Sequence, residues 1–266
     1  MHRRWLAFAA LLALLLGPGA AEAASCGNNA GGFATWLAAF KREAVKAGIP
    51  EKVASSALSG LTYDVSVIKL DRNQGHFRQS FETFYGKRGR PLEGLVRSRV
   101  AQNAALLKKI EARYGVPGEV LVAIWGLETG FGANVGNKPS VRPLATLAYD
   151  GRRSAFFTAE LIAALKIIQR GDLSPAQMRG AWAGELGQTQ FLASSYLKFA
   201  VDFDGDGRRD LIRSKADALA STANYLKAYG WKPGTPASAN AAALAGWNKA
   251  TVYQQTIAKL ADTAAR

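Results

Sequence analysis

The sequence almost lacks cysteine. Cys26 is the only one among 266 residues, so an internal disulfide bond is excluded. Beyond residue 16, no segment approaches the roughly 20 consecutive apolar residues that a membrane-spanning helix needs. The alternation of apolar and polar residues that is typical of half-buried strands is also missing. These absences exclude a disulfide-stapled scaffold and argue against a sheet-based fold.

The first residues have the features of an export signal. A basic start precedes an apolar run from Trp5 to Leu16, and small residues follow around Ala23. This pattern predicts a cleaved signal peptide over residues 1–23 and a periplasmic protein. A lipid on Cys26 is the alternative, although Ala23 stands where lipoprotein signals usually carry Leu. We therefore expect a soluble monomer that contacts the membrane only if Cys26 is lipidated.

Acidic residues are few. The 20 Asp and Glu stand against 34 Lys and Arg, which gives a formal net charge of +14 at pH 7. Such a surface favours polyanionic partners. Nucleic acid is the usual candidate, but an export signal places the partner outside the cytoplasm. We expect no nucleic acid, and a bacterial cell wall with its lactyl and peptide carboxylates fits both charge and compartment.

The remaining sequence is typical of helices. Apolar residues recur at helical spacing in several segments, most of which end at Gly. These segments are 32–48, 94–115, 154–171 and 216–230, with a last helix expected over 242–264. The pattern predicts an all-α (mainly α) fold. It would consist of an N-terminal helical subdomain (27–115), a core with the unusual residues (116–230), and a linker and C-terminal helix that pack back on the core (231–266).

One acidic residue stands in an apolar stretch flanked by glycines. In AIWGLETGFG, Glu128 is the only charged residue. A helix that begins near Pro117 would align Leu121 and Ile124 with this carboxylate and turn it toward the core. Burial raises the pKa of a carboxyl group, which lets it keep and donate a proton near neutral pH. On periodicity alone, two interpretations of Glu128 are equally favoured. It is either a general acid or a structural Glu that is hydrogen-bonded to the backbone.

Five segments form an ordered pattern along the chain. They are YGVPGEVLVAIWGLETGFG, LATLAYDGRRSAFF, AGELGQTQFLASSYLKFAVDFDGDG, STANYLKAYGWKPG and WNKATVY. Together they resemble the lytic murein transglycosylases of the B type, over residues 33–260. The resemblance implies a lysozyme-like helical core that cleaves peptidoglycan glycan strands between N-acetylmuramic acid and N-acetylglucosamine. It implies no cofactor for the chemistry.

The resemblance implies a single catalytic carboxyl group. Glu128 would first protonate the leaving glycosidic oxygen as general acid. As carboxylate it would then take the proton of the muramyl C6 hydroxyl, which attacks its own anomeric carbon. The product is a 1,6-anhydromuramyl end, formed without water. Because the nucleophile is internal and held close, the second carboxylate of hydrolytic glycosidases is not needed.

The resemblance also implies a set of substrate-binding residues. They are Gln190, Tyr225, Asn248, Tyr85, Arg152 and Arg153. Most have a plainer interpretation from the residues alone, such as a helix end, a core aromatic residue, a helix start or a solvated basic pair. Ala181 stands where the family often has Ser, so one hydroxyl contact to the sugar is missing.

Glu185 is a second departure, because the family commonly has a small residue there. Because Glu185 offers a second carboxylate, a muramidase that hydrolyses the glycan with two carboxylates stays an alternative to the transglycosylase. A structural Glu that accepts backbone N–H bonds is the plainer interpretation. A non-catalytic wall-binding protein is the third functional class that remains.

The segment DFDGDGRRD matches the opening of a calcium loop. Its oxygen donors would be the carboxylates of Asp202, Asp204 and Asp206 and the carbonyl of Arg208. Position twelve is Arg213 instead of the usual Glu, so the standard loop fails at its strongest ligand. Relatives in the family imply a replacement on the next helix, which would be Asp217. A structural Ca²⁺ is therefore expected, with a metal-free Asp and Gly turn as the alternative.

Overall fold

The computed structural model describes residues 25–73 and 79–266, which are mostly helical. The α-helices are α1 (Phe33–Lys46), α2 (Glu51–Leu58), α3 (Val65–Arg72), α4 (Phe81–Phe84), α5 (Glu93–Gln102), α6 (Ala104–Tyr114), α7 (Gly118–Thr129), α8 (Val141–Tyr149), α9 (Ser154–Arg170), α10 (Ala193–Phe199), α11 (Lys215–Ala228), α12 (Ala241–Trp247) and α13 (Thr251–Ala264). Short 3-10 turns lie at Ala30–Gly32, Arg90–Leu92 and Ala237–Asn240, and a π turn at Tyr85–Gly89. The described strands β1 (Lys138–Pro139) and β2 (Arg179–Gly180) pair antiparallel. The predicted all-α class is confirmed.

The N-terminal region leaves part of the sequence prediction untested. The predicted signal peptide, residues 1–23, lies outside the described residues. Cys26 is described and exposed, and its lipidation stays a prediction. Within residues 25–73 and 79–266, no helix combines the length and apolar character needed to cross a membrane.

Helix ends follow the glycine signals in the sequence. α6 ends at Gly115 and α9 ends at Gly171, both in the left-handed conformation, with φ of 73° and 81°. Glycine has no Cβ to oppose that conformation, and the turn lets the chain leave the helix sharply. The predicted ends of these two helices are confirmed.

Two predicted helices are each broken once. The segment 94–115 divides at Asn103, whose side-chain amide donates to the carbonyl of Arg99 at 2.8 Å and so competes with the helical backbone pattern. The segment 242–264 divides after Trp247, because Asn248 is extended, with φ −144° and ψ 126°. Its side chain accepts from the Ala250 N–H at 2.9 Å. The prediction of one continuous C-terminal helix is wrong.

The buried apolar side chains form two clusters, here called the first core and the second core. The first core joins α1–α3 to α8–α10, and the second core joins α5–α7 to α11–α13. Residues 33–67 contribute to the first core and residues 84–114 to the second. The predicted N-terminal subdomain therefore shares both cores, and its boundaries stay a prediction. Trp247 packs against both cores and marks the seam between them.

Helix α7 lies at the centre of the second core. Its five consecutive residues from Val120 to Ile124 are each at most 1% exposed, so the helix is buried on every side. Each fully buried Val, Leu or Ile side chain stabilises the fold by about 1.5–3 kcal/mol. Leu121 and Ile124, which the sequence aligned with Glu128, are buried as expected, and the other faces of the helix are buried as well. Glu128 is sheltered because its whole helix is central.

Candidate active site

Glu128 borders a cleft of about 350 Å³ at the seam between the two cores. That volume is in the range of small-molecule sites, roughly 300–1,000 Å³. The residues that line it include Glu128, Trp182, Glu185, Gln190, Tyr225 and Asn248. They come from the last turn of α7, the loop between β2 and α10, α11 and the break after α12. The fold thus brings three of the six predicted substrate-binding residues together with Glu128.

Two side chains from the C-terminal region hold the Glu128 carboxyl group. The hydroxyl of Tyr253 donates to Oε1 at 2.7 Å, and the indole Nε1 of Trp247 donates to the same oxygen at 3.1 Å. With two donors on Oε1, the proton of the neutral acid belongs on Oε2. The carboxyl group therefore has one fixed oxygen and one oxygen available for proton transfer.

The pKa of Glu128 lies above that of an ordinary glutamate. Burial is the main cause, because it disfavours the charged form. The hydrogen bonds from Tyr253 and Trp247 lower the pKa but do not cancel the effect of burial. Glu185 raises it further, and Arg88 lowers it. A group with a raised pKa keeps its proton nearer neutral pH, as a general acid must.

The loop of residues 180–191 supplies five of the residues that line the cleft, which are Ala181, Trp182, Glu185, Gln190 and Phe191. A Cβ at Gly180 would lie 1.9 Å from the carbonyl oxygen of Glu185, so only glycine allows the loop to fold back this tightly. A bridge between Leu186 and Phe191 closes the end of the loop. Gln190 has φ of 53°, a left-handed conformation that is strained for a residue with a side chain and that often marks functional sites.

The amide of Gln190 is fixed by backbone groups. Its Nε2 donates to the carbonyl of Gly187 at 2.9 Å and to that of Val135 at 3.3 Å. The amide oxygen of Gln190 is then the atom that can accept from a bound ligand. This placement is compatible with the predicted contact to substrate.

Glu185 lies in the same cleft as Glu128. Its Oε2 accepts from the Ala183 N–H at 3.2 Å, as the plainer sequence interpretation expected. Burial raises the pKa of Glu185, and the nearby Glu160 raises it further. Ala181 also lines the cleft, and it offers no hydroxyl. Both departures from the family pattern therefore border the site.

Tyr225 and Asn248 combine a local role with a place in the cleft wall. The Tyr225 hydroxyl donates to the carbonyl of Gly246 at 2.8 Å and so ties α11 to α12. Its ring meets that of Trp247 edge-on at 5.1 Å between centroids. Asn248 accepts from the Ala250 N–H in the turn between α12 and α13. It is not the N-cap of α13, because Ala250 holds that position. Each residue still presents part of its surface to the cleft.

Tyr85 does not line the cleft. It is 6% exposed, and its hydroxyl donates to Glu93 Oε1 at 2.7 Å. Its ring stacks on that of Phe81 at 5.3 Å between centroids. Burial raises the pKa of Tyr85 to about 12. The hydroxyl of Tyr85 is used within the fold, and its predicted contact with substrate stays a prediction.

Arg152 and Arg153 are also absent from the cleft wall that the structure describes. Arg152 forms a two-point ion pair with the buried Asp71 of α3, with Nε 2.7 Å from Oδ2. The guanidinium of Arg153 lies over the ring of Phe156 at 4.3 Å from its centroid. These contacts fix the turn between α8 and α9 to its neighbours, and the predicted contact with anionic substrate groups stays a prediction.

Sequence reasoning missed the two donors to Glu128. Trp247 and Tyr253 lie in the segment WNKATVY, from which only Asn248 was selected. The signal was present, because both residues belong to the pattern that resembles the family. Nothing local in the sequence, however, shows that their polar atoms meet a carboxylate on α7.

Three acidic residues form the one group within the described residues that could hold a metal ion. The carboxylate oxygens of Asp202, Asp204 and Asp217 lie within 4.8 Å of one another. Asp206 is not part of this group, and its Oδ1 accepts from the Arg208 N–H at 2.8 Å. The structure therefore brings together three of the five predicted ligands.

Asp217 is the buried member of this group. It is fully buried and accepts backbone N–H bonds from Phe203 and Asp210 at 2.7 and 2.8 Å. Burial nevertheless raises the pKa of Asp217, and the charge of Asp204 adds to the effect. A bound Ca²⁺ would neutralise this excess negative charge with the hard oxygen ligands that it prefers.

Comparisons with known proteins agree on the kind of fold. A family described as "Transglycosylase SLT domain" matches residues 32–242. SltB3 from Pseudomonas aeruginosa, solved in complex with NAG-anhNAM-pentapeptide, is 35% identical with a TM-score of 0.82, covering 86% of this chain and 78% of that one. Slt35 from Escherichia coli, solved in complex with calcium, is 24% identical with a TM-score of 0.76, covering 91% of this chain and 96% of that one.

A curated protein from Escherichia coli (strain K12) is similar over a shorter range. "Membrane-bound lytic murein transglycosylase B" is 42% identical over 122 residues, which is 46% of this chain. The matching segment spans 34% of that protein's length.

Proposed function

The chain belongs to the family of transglycosylase SLT domains, and on that premise we propose that it is a peptidoglycan lytic transglycosylase. It cleaves the bond between N-acetylmuramic acid and N-acetylglucosamine and leaves 1,6-anhydromuramyl ends. The observation that carries the proposal is Glu128, a carboxyl group with a raised pKa that borders a cleft and is held through one oxygen. The complex of SltB3 with NAG-anhNAM-pentapeptide supports the anhydro product.

In the first step Glu128 is the general acid. Its Oε2 proton passes to the glycosidic oxygen as the bond to the muramyl anomeric carbon breaks. The sugar becomes oxocarbenium-like, and Glu128 becomes a carboxylate. The donors Tyr253 and Trp247, already on Oε1, then stabilise the new negative charge without rearrangement.

In the second step Glu128 is the general base. It takes the proton of the muramyl C6 hydroxyl while that oxygen bonds to the anomeric carbon of the same sugar. The proton returns to Oε2, so the enzyme ends the cycle in its starting form and no water is consumed. Because the attacking hydroxyl belongs to the reacting sugar, the step has the advantage of an intramolecular reaction.

A muramidase is the second candidate function, and the position of Glu185 favours it. This carboxyl group lines the same cleft as Glu128 and could activate a water on the other side of the sugar, as in glycosidases with two carboxylates. The two functions differ in whether an atom of water enters the product.

Digestion of purified sacculi in water enriched in heavy oxygen separates these functions. We expect mass spectrometry to show anhydromuramyl products without heavy oxygen. Products heavier by one water, with the label at the reducing end, would transfer the assignment to a muramidase. Binding to sacculi without any released muropeptide would indicate a wall-binding protein and refute both enzymatic functions.

We further propose that Asp202, Asp204 and Asp217 bind a structural Ca²⁺ that is not needed for the chemistry. The site joins the loop after α10 to the start of α11, and the calcium complex of the similarly folded Slt35 accords with it. We expect Ca²⁺ to raise the melting temperature of the wild type. Asp204→Asn should abolish that increase.

The control for the calcium prediction is Asp206→Asn, the same change in the same loop outside the group of three. It should keep the stabilisation by Ca²⁺. If both variants lose it equally, the linear loop motif describes the ligands better than the spatial group does. If Ca²⁺ leaves the wild-type melting temperature unchanged, the site is an Asp and Gly turn.

The location that we propose is the periplasm, where peptidoglycan strands are the partner. The similarity to a membrane-bound transglycosylase from Escherichia coli supports a location outside the cytoplasm. The monomeric state and lipidation of Cys26 stay predictions.

A further inference from the structure

Two residues of opposite charge approach Glu128 from different elements. Arg88 lies in the π turn Tyr85–Gly89, and its Nη2 donates to the carbonyl of Leu127 at 3.0 Å. Leu127 is the neighbour of Glu128 in the last turn of α7. The guanidinium of Arg88 therefore lies at the negative end of the helix dipole, beside the residue that must become an anion during the reaction.

Glu185 approaches from the cleft. Among the described residues, the charged groups that line the cleft are Glu128 and Glu185, with no Lys, Arg or His. This is unexpected in a chain with a net charge of +14. The Ala183 N–H donates to Glu185 Oε2 and only partly offsets burial, which raises the pKa of Glu185. Once ionised, Glu185 places a negative charge in the cleft that Glu128 also borders.

In the described part of the chain, the other titratable groups that contact the pair or line the cleft are not cations. Tyr253 on α13 donates to Glu128, and Tyr225 on α11 lines the cleft with its hydroxyl committed to Gly246. Glu160 on α9 lies behind Glu185 and accepts from Ser194 at 2.9 and 2.6 Å. Arg88 is thus the cation that acts on Glu128.

We propose that Glu185 and Arg88 are opposed positioning residues that set the pH up to which Glu128 keeps its proton. Glu185 favours the neutral acid that starts the reaction, and Arg88 favours the carboxylate that finishes it. The inference rests on the proposed transglycosylase function. It gives Glu185 a role other than that of a second catalytic carboxylate.

The direction of each effect follows from charge alone. Two carboxyl groups that share a cleft lose their protons in two steps, and the first to ionise raises the pKa of the other. Glu185 acts on Glu128 in this way, and Arg88 acts in the opposite sense. The side chain of Arg88 is exposed, so salt should screen its effect more than that of the half-buried Glu185.

The test is the pH profile of anhydromuropeptide release for Glu185→Gln, Arg88→Gln and the double variant. The general acid fails when it loses its proton, so the alkaline limb of kcat/KM reports Glu128 in the free enzyme. Glu185→Gln should move that limb to lower pH by about 0.5–1 unit, and Arg88→Gln should move it to higher pH by a smaller amount. The double variant should lie between the two.

Salt gives a second readout. At about 1 M salt, where the Debye length is near 3 Å, the shift caused by Arg88→Gln should largely vanish and that of Glu185→Gln should persist. Arg90→Gln removes the same charge two residues further along, where the guanidinium acts on Tyr85. It should leave the alkaline limb in place.

Several outcomes would overturn the inference. The alkaline limb of kcat/KM could stay in place, or it could move in the same direction in both single variants. Either result would show that Glu185 and Arg88 do not have opposite effects on Glu128. Loss of Glu185→Gln activity at every pH would make Glu185 a catalytic group. If Glu185→Gln does not fold, Glu185→Ala should show the same shift, because it removes the same charge. Failure of the wild type to release anhydro products would instead refute the proposed function itself.

Discussion

Glu128→Gln is expected to lower the rate of muropeptide release by about 1,000-fold, the usual scale of a lost general acid and base. Glutamine keeps the size of the side chain, and its amide oxygen can still accept from Tyr253 and Trp247. It cannot donate a proton to the glycosidic oxygen or take one from the C6 hydroxyl. The measurement is the rate of anhydromuropeptide release from sacculi, with thermal melting to show that the fold is kept.

Glu119→Gln is the matched control for this prediction. Glu119 lies in the first turn of the same helix α7, so the same chemical change is made away from the cleft. Its activity should stay within about twofold of the wild type, because Glu119 is not among the residues that line the cleft. Full activity of Glu128→Gln, or equal loss in both variants, would remove Glu128 from the mechanism.

Tyr253→Phe is expected to lower kcat by about 10- to 100-fold. The variant removes one hydroxyl, and with it the 2.7 Å hydrogen bond to Glu128 Oε1. A hydrogen bond to a charged group contributes about 1.5–3 kcal/mol, and about 1.4 kcal/mol corresponds to a tenfold change in rate. The loss should fall on kcat rather than KM, because the carboxylate forms only after the first proton transfer.

Tyr85→Phe makes the same atomic change at a tyrosine outside the cleft. The Tyr85 hydroxyl bonds to Glu93, so this variant should lose some stability and keep its kcat. A loss of activity in Tyr85→Phe that matches that of Tyr253→Phe would restore Tyr85 to the substrate-binding set. It would also show that the described cleft does not contain the whole site.

Local sequence patterns were sufficient for the catalytic helix. Pro117 directly precedes α7, as the start signal predicted. The same pattern turned Glu128 toward the core and identified its carboxyl group as unusual. Resemblance to the family then supplied Gln190, Tyr225 and Asn248, all of which lie along the cleft.

Contacts between distant segments could not be predicted. The pairing of Arg152 with Asp71 joins residues 81 positions apart, and no local pattern relates them. The break at Asn248 was missed because the apolar spacing continues through it, while the decisive event is a side-chain bond to Ala250. The role of Arg88 depends on the carbonyl of Leu127, a backbone atom that carries no sequence signal.

The two side chains that donate to Glu128 come from a part of the sequence that is synthesised long after α7. Trp247 and Tyr253 follow Glu128 by 119 and 125 positions, so a growing chain that has completed α7 still has an unsupported carboxyl group. Under the proposed function, a chain would become active only after this distant stretch has been added and has docked on α7. Copies cut short before Trp247 would therefore be inert.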